Sequence, residues 1–154
     1  MAHRQSSASL DLGFEMVHTI FDYQDGPRIG IADHDGAPHR YALDFDPEAV
    51  EYLNTYSLVR IPDDLFQLAM EDWAIWRRWE TSFHHGLTSM ETYPALPQDR
   101  NRHALLANLL VEKFARLTSE ALVVHGQFTR RIDDSWNGIG AHPLQVKWTP
   151  VTGL

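Results

Sequence analysis

The chain has 154 residues, enough for one domain with its own core. Its hydrophobic content of 44% and charged content of 22% exclude a fibrous or wholly disordered class. The absence of cysteine excludes a thiol nucleophile and a disulfide framework, and the net charge of −8 opposes binding to a nucleic-acid backbone.

The N-terminal segment is small and polar, so we expect a disordered tail at 1–13 and a single domain at 14–154. The segment lacks the apolar stretch of a signal peptide, and the chain lacks an apolar run of about 18 residues that would span a membrane. With no cysteine to suggest an oxidising compartment, we expect a cytoplasmic location and no membrane partner.

Short β-rich runs follow the tail and are separated by turn chemistry. The Asp-Gly pairs in QDGPRIG and DHDGAPH favour two tight reversals, which predicts strands at 14–22, 27–33 and 38–45. The β-branched run NTYSLVRI, residues 54–61, predicts a fourth strand that could also be irregular.

Proline beside an acid predicts the start of two helices, at 62–83 and 98–118. The runs LVVHGQFTRRI and PLQVKWTPV predict two more strands after them. The order β-β-β-(β)-α-α-β-β has no βαβ alternation. It predicts an α+β fold with an antiparallel sheet of about five to six strands and two helices packed on one face.

Two acids fall on the apolar face of the first predicted helix. At about 100° per residue, Asp72 lies between Trp79 and Leu65, near the centre of the apolar arc, and Glu80 lies inside the arc. A carboxylate buried alone is costly, so each acid must be paired, hydrogen-bonded, protonated or placed at a cleft. Both are therefore candidate catalytic residues, although partial exposure would also explain Glu80.

Two interpretations of Asp72 remain open. As a structural acid, it would be neutralised by an arginine of the sheet, namely Arg28, Arg40 or Arg60. As a cleft acid with a shifted pKa, it would act as a general base or anchor a ligand.

Three residues are candidates for ligand binding. Trp73 lies at the edge of the apolar arc beside Glu80 and Arg77, where a ring, an acid and a base can line a groove. The competing interpretation is that the tryptophans of this helix fill the core. Arg28 and Arg77 are the other two candidates, and in an enzyme one or the other would stabilise an anion.

Nine histidines suggest a metal, but their spacing does not support one. The adjacent His84 and His85 point about 100° apart on a helix. Histidines 34 and 39 flank a tight turn whose acids the backbone itself needs. We therefore predict no metal and no cofactor.

Two strand histidines are candidate catalytic residues. His39 shares strand parity with Tyr41 and so faces inward if that face does, and His125 precedes Gly126, where a backbone can approach a ligand. A satisfied core histidine is the competing interpretation of His39. The motifs of serine hydrolases, nucleotide-binding loops and zinc proteases are absent from the sequence.

The stretches FDYQDGPRIGIADHDGAPHRYALDFD, LAMEDWAIWRRWETSFHHG and ALPQDRNRH resemble a family of small uncharacterised bacterial proteins. The resemblance covers residues 14–130. It implies a shared fold and carries no activity, cofactor or catalytic residue.

The sequence leaves two functional hypotheses. The first is a cytoplasmic domain without catalytic activity that binds a small ligand or a protein, with its site in the Asp72, Trp73 and Arg77 region. A homodimer through Leu105 and Leu109, on the polar side of the second helix, belongs to this hypothesis. The second is a small hydrolase-like enzyme that uses Asp72 or Glu80 with a histidine and an arginine. A nucleic-acid-binding module is disfavoured by the net charge.

Overall fold

The computed structural model describes residues 8–151. Contacts between Cα atoms divide the chain into two compact units. Within the described residues, the barrel unit comprises 8–61, 119–137 and 143–151, and the helical unit comprises 62–118 and 138–142. The first part of the predicted disordered tail, 1–7, lies outside the described residues. The prediction of one domain over 14–154 stays a prediction.

The barrel unit contains eight strands in its described part. They are β1 (Ala8–Ser9), β2 (Glu15–Tyr23), β3 (Pro27–His34), β4 (Ala37–Asp46), β5 (Glu51–Arg60), β6 (Leu122–Arg130), β7 (Ile132–Asp133) and β8 (Leu144–Pro150). Six of them form a closed antiparallel barrel in the order β2-β3-β4-β5-β6-β8. The short strands β1 and β7 pair with each other.

The predicted antiparallel sheet and α+β class are confirmed, and the predicted fourth strand is present as β5. The closure of the sheet goes beyond the prediction. Its physical basis is irregular register: the β2–β3 pairing shifts three times, and the β4–β5 pairing shifts between Leu43 and Phe45. Such bulges bend and twist strands, which brings the two edges of a sheet together.

Side chains fill the interior of the barrel. The rings of Tyr41, Tyr56, Phe128 and Trp148 pack with centroids 5.4 to 6.1 Å apart. The Tyr41 hydroxyl donates to the backbone oxygen of Thr19 at 3.0 Å. Burial raises the pKa of Tyr41 and of Tyr56, which keeps both phenols protonated. A barrel filled in this way offers a ligand its ends rather than its centre.

The helical unit consists of two helices and the loop that joins them. Helix α1 spans Asp63–His84 and helix α2 spans Arg100–Ala115, close to the predicted bounds. Short 3₁₀ helices lie at Met90–Thr92 and Pro97–Asp99. None of the helices found in residues 8–151 is long and apolar enough to cross a membrane.

The two helices are antiparallel, as their charged pairs show. Asp64, at the start of α1, lies 3.6 Å from Lys113 near the end of α2. Arg78, near the end of α1, bonds Asp99 just before α2. Ile75 is 1% exposed within the apolar core of this unit.

Candidate functional site

Glu80 is the buried acid of the helical unit. Glu80 is 7% exposed, and its carboxylate accepts a hydrogen bond from Arg77. A Cβ atom added at Gly140 would overlap this carboxyl group. Arg77 also donates to the backbone oxygen of Ile139 at 3.5 Å. Partial exposure, the alternative explanation of Glu80, is therefore wrong, because the backbone at Gly140 packs against its carboxyl group. The structure brings the candidates Glu80 and Arg77 together as an ion pair.

Asp72 is half-buried and pairs with a histidine. Its Oδ1 lies 2.7 Å from Nδ1 of His103 on α2, and the two side chains are 22% and 26% exposed. The predicted partner, an arginine of the sheet, is wrong. The antiparallel course of α2 supplies the counterpart, because it places His103 beside the third turn of α1.

Trp73 stacks on Trp76 with centroids 4.9 Å apart, and both rings are half-buried. The neighbouring exposed acid Glu71 bonds Arg102 through both oxygens, at 2.6 and 2.7 Å. This pairing lowers the pKa of Glu71, because the charged form accepts the hydrogen bonds. Arg102 thus compensates the charge of Glu71.

Arg28 belongs to the barrel unit, at the beginning of β3. Its Nε lies 3.1 Å from Oδ2 of Asp22 without the alignment of a hydrogen bond, and its guanidinium lies 4.6 Å from the ring centroid of Tyr52. Within the barrel unit, Arg28 therefore already has an acid and an aromatic ring as partners.

His125 is half-buried on β6, and its Nδ1 lies 3.3 Å from the backbone oxygen of Asn54. Its cross-strand partner is Thr149. His39 lies on β4 and pairs across the strands with Arg60. These histidines are thus placed on different strands with different partners.

One end of the barrel gathers charged and aromatic side chains, and we call it the barrel mouth. It is formed by Glu15, His34, His39, Arg60 and Trp148. Antiparallel pairing brings the end of β3, the start of β4 and the end of β5 to this mouth. The rings of the two histidines are 5.2 Å apart and nearly perpendicular.

His39 is held as a neutral imidazole with a defined tautomer. Its Nδ1 lies 2.8 Å from the backbone oxygen of Ala37. A carbonyl oxygen only accepts, so Nδ1 carries the hydrogen and Nε2 keeps a lone pair. Burial lowers the pKa of His39, and the charges of His34 and Arg60 act in the same direction.

A groove of about 290 Å³ adjoins the mouth. His34 and Trp148 line it, together with residues 122–124 of β6 and 149–151 of β8 and the chain after it. The indole of Trp148 is fixed by donation from Nε1 to the backbone oxygen of Asp33 at 2.9 Å. The lining thus combines an aromatic ring, apolar side chains and an imidazole.

The sequence pointed to part of this mouth. It placed His39 inward by strand parity, but Arg60 entered only as a partner for Asp72, and Glu15 and Trp148 were not singled out. The hairpin turn at Asp35-Gly36, which the sequence did predict, accounts for the two histidines: counting residues outward from it pairs β3 with β4 and puts both at one end.

Among the residues that the structure describes, no group of three or more metal-ligating side chains is arranged to hold a metal ion. Comparison with known proteins gives no match to a family model, a curated protein or a solved structure. The resemblance to a family of small bacterial proteins therefore stays a prediction.

Proposed function

We propose that this protein is a binding module that takes a small organic molecule in the groove at the barrel mouth. The observation that supports this most directly is the lining of the groove. Ligand sites of small molecules are concave and mostly apolar, with a few placed polar groups, and they occur in the mouths of barrels. At about 290 Å³ the groove suits a molecule of one or two rings.

The region of Asp72, Trp73 and Arg77 supports ligand binding less well. Its charges already have partners: His103 for Asp72, and Glu80 for Arg77. A ligand there would have to displace these pairs, whereas the lone pair of His39 Nε2 at the mouth is available. These pairings favour a structural role for Asp72 and Arg77 in the helical unit.

A specific observation favours the second candidate, a small hydrolase-like enzyme. The carboxylate of Asp72 accepts from Nδ1 of His103, and this arrangement leaves Nε2 as a general base. The histidine differs from the two that the sequence suggested. A homodimer through α2 also remains proposed, with Leu105 51% exposed and Leu109 half-buried.

A fragment screen by NMR tests the binding module. We expect small aromatic molecules at millimolar concentration to shift the amide signals of residues 122–124, Thr149 and Val151 and the indole signal of Trp148. Filling the groove with Thr149→Trp should weaken these fragments at least about 10-fold, since the ring would occupy their volume.

The matched control is Thr118→Trp, the same substitution at an exposed position of the helical unit, which should leave affinity unchanged. Shifts that centre on Asp72, Trp73 and Arg77 would move the site to the helical unit. A library without any binder would overturn the proposal.

A further inference from the structure

The barrel mouth offers a hydrogen-bond acceptor next to a hydrogen-bond donor, and this pair selects a ligand. Resting on the proposed binding function, we propose that the ligand is a neutral planar ring that carries an N–H beside a C=O, as a lactam or cyclic imide does. Its N–H would donate to Nε2 of His39, and its carbonyl would accept from Arg60.

The acceptor is fixed by local geometry. Donation from Nδ1 to the oxygen of Ala37, at 2.8 Å, commits the hydrogen of His39 to that nitrogen. Within residues 8–151, His39 makes no other side-chain hydrogen bond. A ligand that binds Nε2 must therefore bring a donor, which a carboxylate lacks.

The donor stands directly across the strand pair. Arg60 is the register partner of His39, and the Cβ atoms of such partners lie about 5 Å apart on one face. The Arg60 side chain is exposed and has no ion pair with any described residue. Its guanidinium can thus reach a carbonyl oxygen held beside the imidazole.

The charges around the mouth favour a neutral ligand over an anion. Glu15 also acts on His39, and its carboxylate accepts hydrogen bonds from the backbone N–H groups of Asp35 and Gly36 at 3.0 and 2.9 Å. Asp35 adds a second carboxylate, 3.8 Å from His34. An anion would meet these acids along with the guanidinium.

The groove supplies the surface for the rest of the ring. It contains Trp148 and apolar side chains of β6, and His34 joins it to the acceptor because its ring lies 5.2 Å from that of His39. Flat rings pack well on aromatic faces in such grooves. A planar lactam therefore satisfies the polar and the apolar part together.

Three probes of similar size test the ligand class: uracil, 1,3-dimethyluracil and benzoate. Amide and indole shifts at the mouth, followed by titration at pH 8, give their dissociation constants. We expect uracil to bind at least about 10-fold more tightly than 1,3-dimethyluracil, which has no N–H, and than benzoate, which has no donor.

Two variants locate the selectivity. His39→Leu should remove the preference for uracil over its dimethyl form, and His39→Gln, which keeps an acceptor oxygen, should restore part of it. Arg60→Met should weaken the binding of uracil about 10-fold and leave the ratio of affinities for uracil and 1,3-dimethyluracil unchanged.

Lowering the pH supplies a further signature. Protonation turns Nε2 of His39 into a donor, so uracil should weaken and benzoate strengthen below pH 6.5. The ionisable groups that act on His39 from its surroundings are His34, Arg60 and Glu15. His39→Gln separates their effect, because it should abolish the reversal between the two probes.

The outcomes distinguish the inference from the function on which it rests. Equal binding of uracil and 1,3-dimethyluracil, or tighter benzoate at pH 8, overturns the lactam class and leaves the groove as a binding site. If none of the three probes shifts signals at the mouth, the inference fails. If the fragment screen is also empty, the proposed function fails with it.

Discussion

The burial of the Glu80 carboxylate depends on one glycine, Gly140. Gly140 has φ of +77°, and a Cβ at that position would overlap the carboxyl group that Arg77 bonds. The close approach of the backbone covers Glu80, and the guanidinium compensates the charge that burial would otherwise make costly. This pairing explains how an acid can lie on the apolar face of α1.

Gly140→Ala should therefore destabilise the protein more than Gly138→Ala. Both glycines have nearly the same φ, +77° at Gly140 and +78° at Gly138, but nothing lies within 4 Å of a Cβ at Gly138. Both variants lose about 1 kcal/mol or more for the left-handed conformation. Overlap with Glu80 should cost Gly140→Ala about 1 to 3 kcal/mol more.

Free energies of unfolding from urea titrations measure this difference. Equal losses for the two alanine variants would show that the segment around Gly140 yields to Glu80 without cost.

Strands β6 and β8 meet through a glycine and an aromatic ring. A Cβ at Gly126 would lie 2.5 Å from Cζ3 of Trp148 and 3.1 Å from Cδ1 of Tyr56. The indole therefore packs against the backbone of the neighbouring strand at Gly126, where a larger side chain would exclude it. This contact lets four aromatic rings fill the barrel.

Gly126→Ala should reduce the free energy of unfolding by about 1 to 3 kcal/mol, because the added methyl group forces the indole out of its position. In the background of Trp148→Phe, which removes the ring that the methyl group meets, the same alanine should cost less than about 1 kcal/mol. A double-mutant cycle by urea unfolding measures the coupling. Full additivity of the two substitutions would contradict the contact.

The stability of the whole molecule should depend on pH through His39. Its pKa is lowered in the folded state, chiefly by burial, so the unfolded chain binds the proton more readily. The stabilisation is fully present above the ordinary value of about 6.5 and is lost as the pH falls through the folded value.

The urea midpoint of the wild type should therefore decline as the pH is lowered from 7.5 to 5. His39→Gln should make this decline shallower, and His85→Gln, at an exposed position, should leave it unchanged. At lower pH, protonation of Asp133 adds a further loss, because its hydrogen bonds from Ser135 and Arg131 lower its pKa. Parallel pH profiles for the wild type and His39→Gln would contradict the role of His39.

The sequence determined the elements because their causes are local. Asp25 and Asp35 adopt φ of 55° and 53° at the two turns that their Asp-Gly pairs predicted. Proline and acids at the start of α1 predicted where that helix begins. Strand parity likewise suggested that His39 faces inward.

The tertiary structure alone decided which distant residues meet. The helical angles predicted that Asp72 and Glu80 lie on an apolar face. They do not predict that His103 packs beside Asp72 or that Gly140 packs against Glu80. Closure of the barrel likewise depends on irregularities that shift register by one or two residues, and period-two patterning does not encode their positions. The mouth exists only because closure brings Trp148 on β8 to the same groove as His34 on β3. Local propensities set each strand and helix, whereas pairing across the chain is set by the packing of the whole.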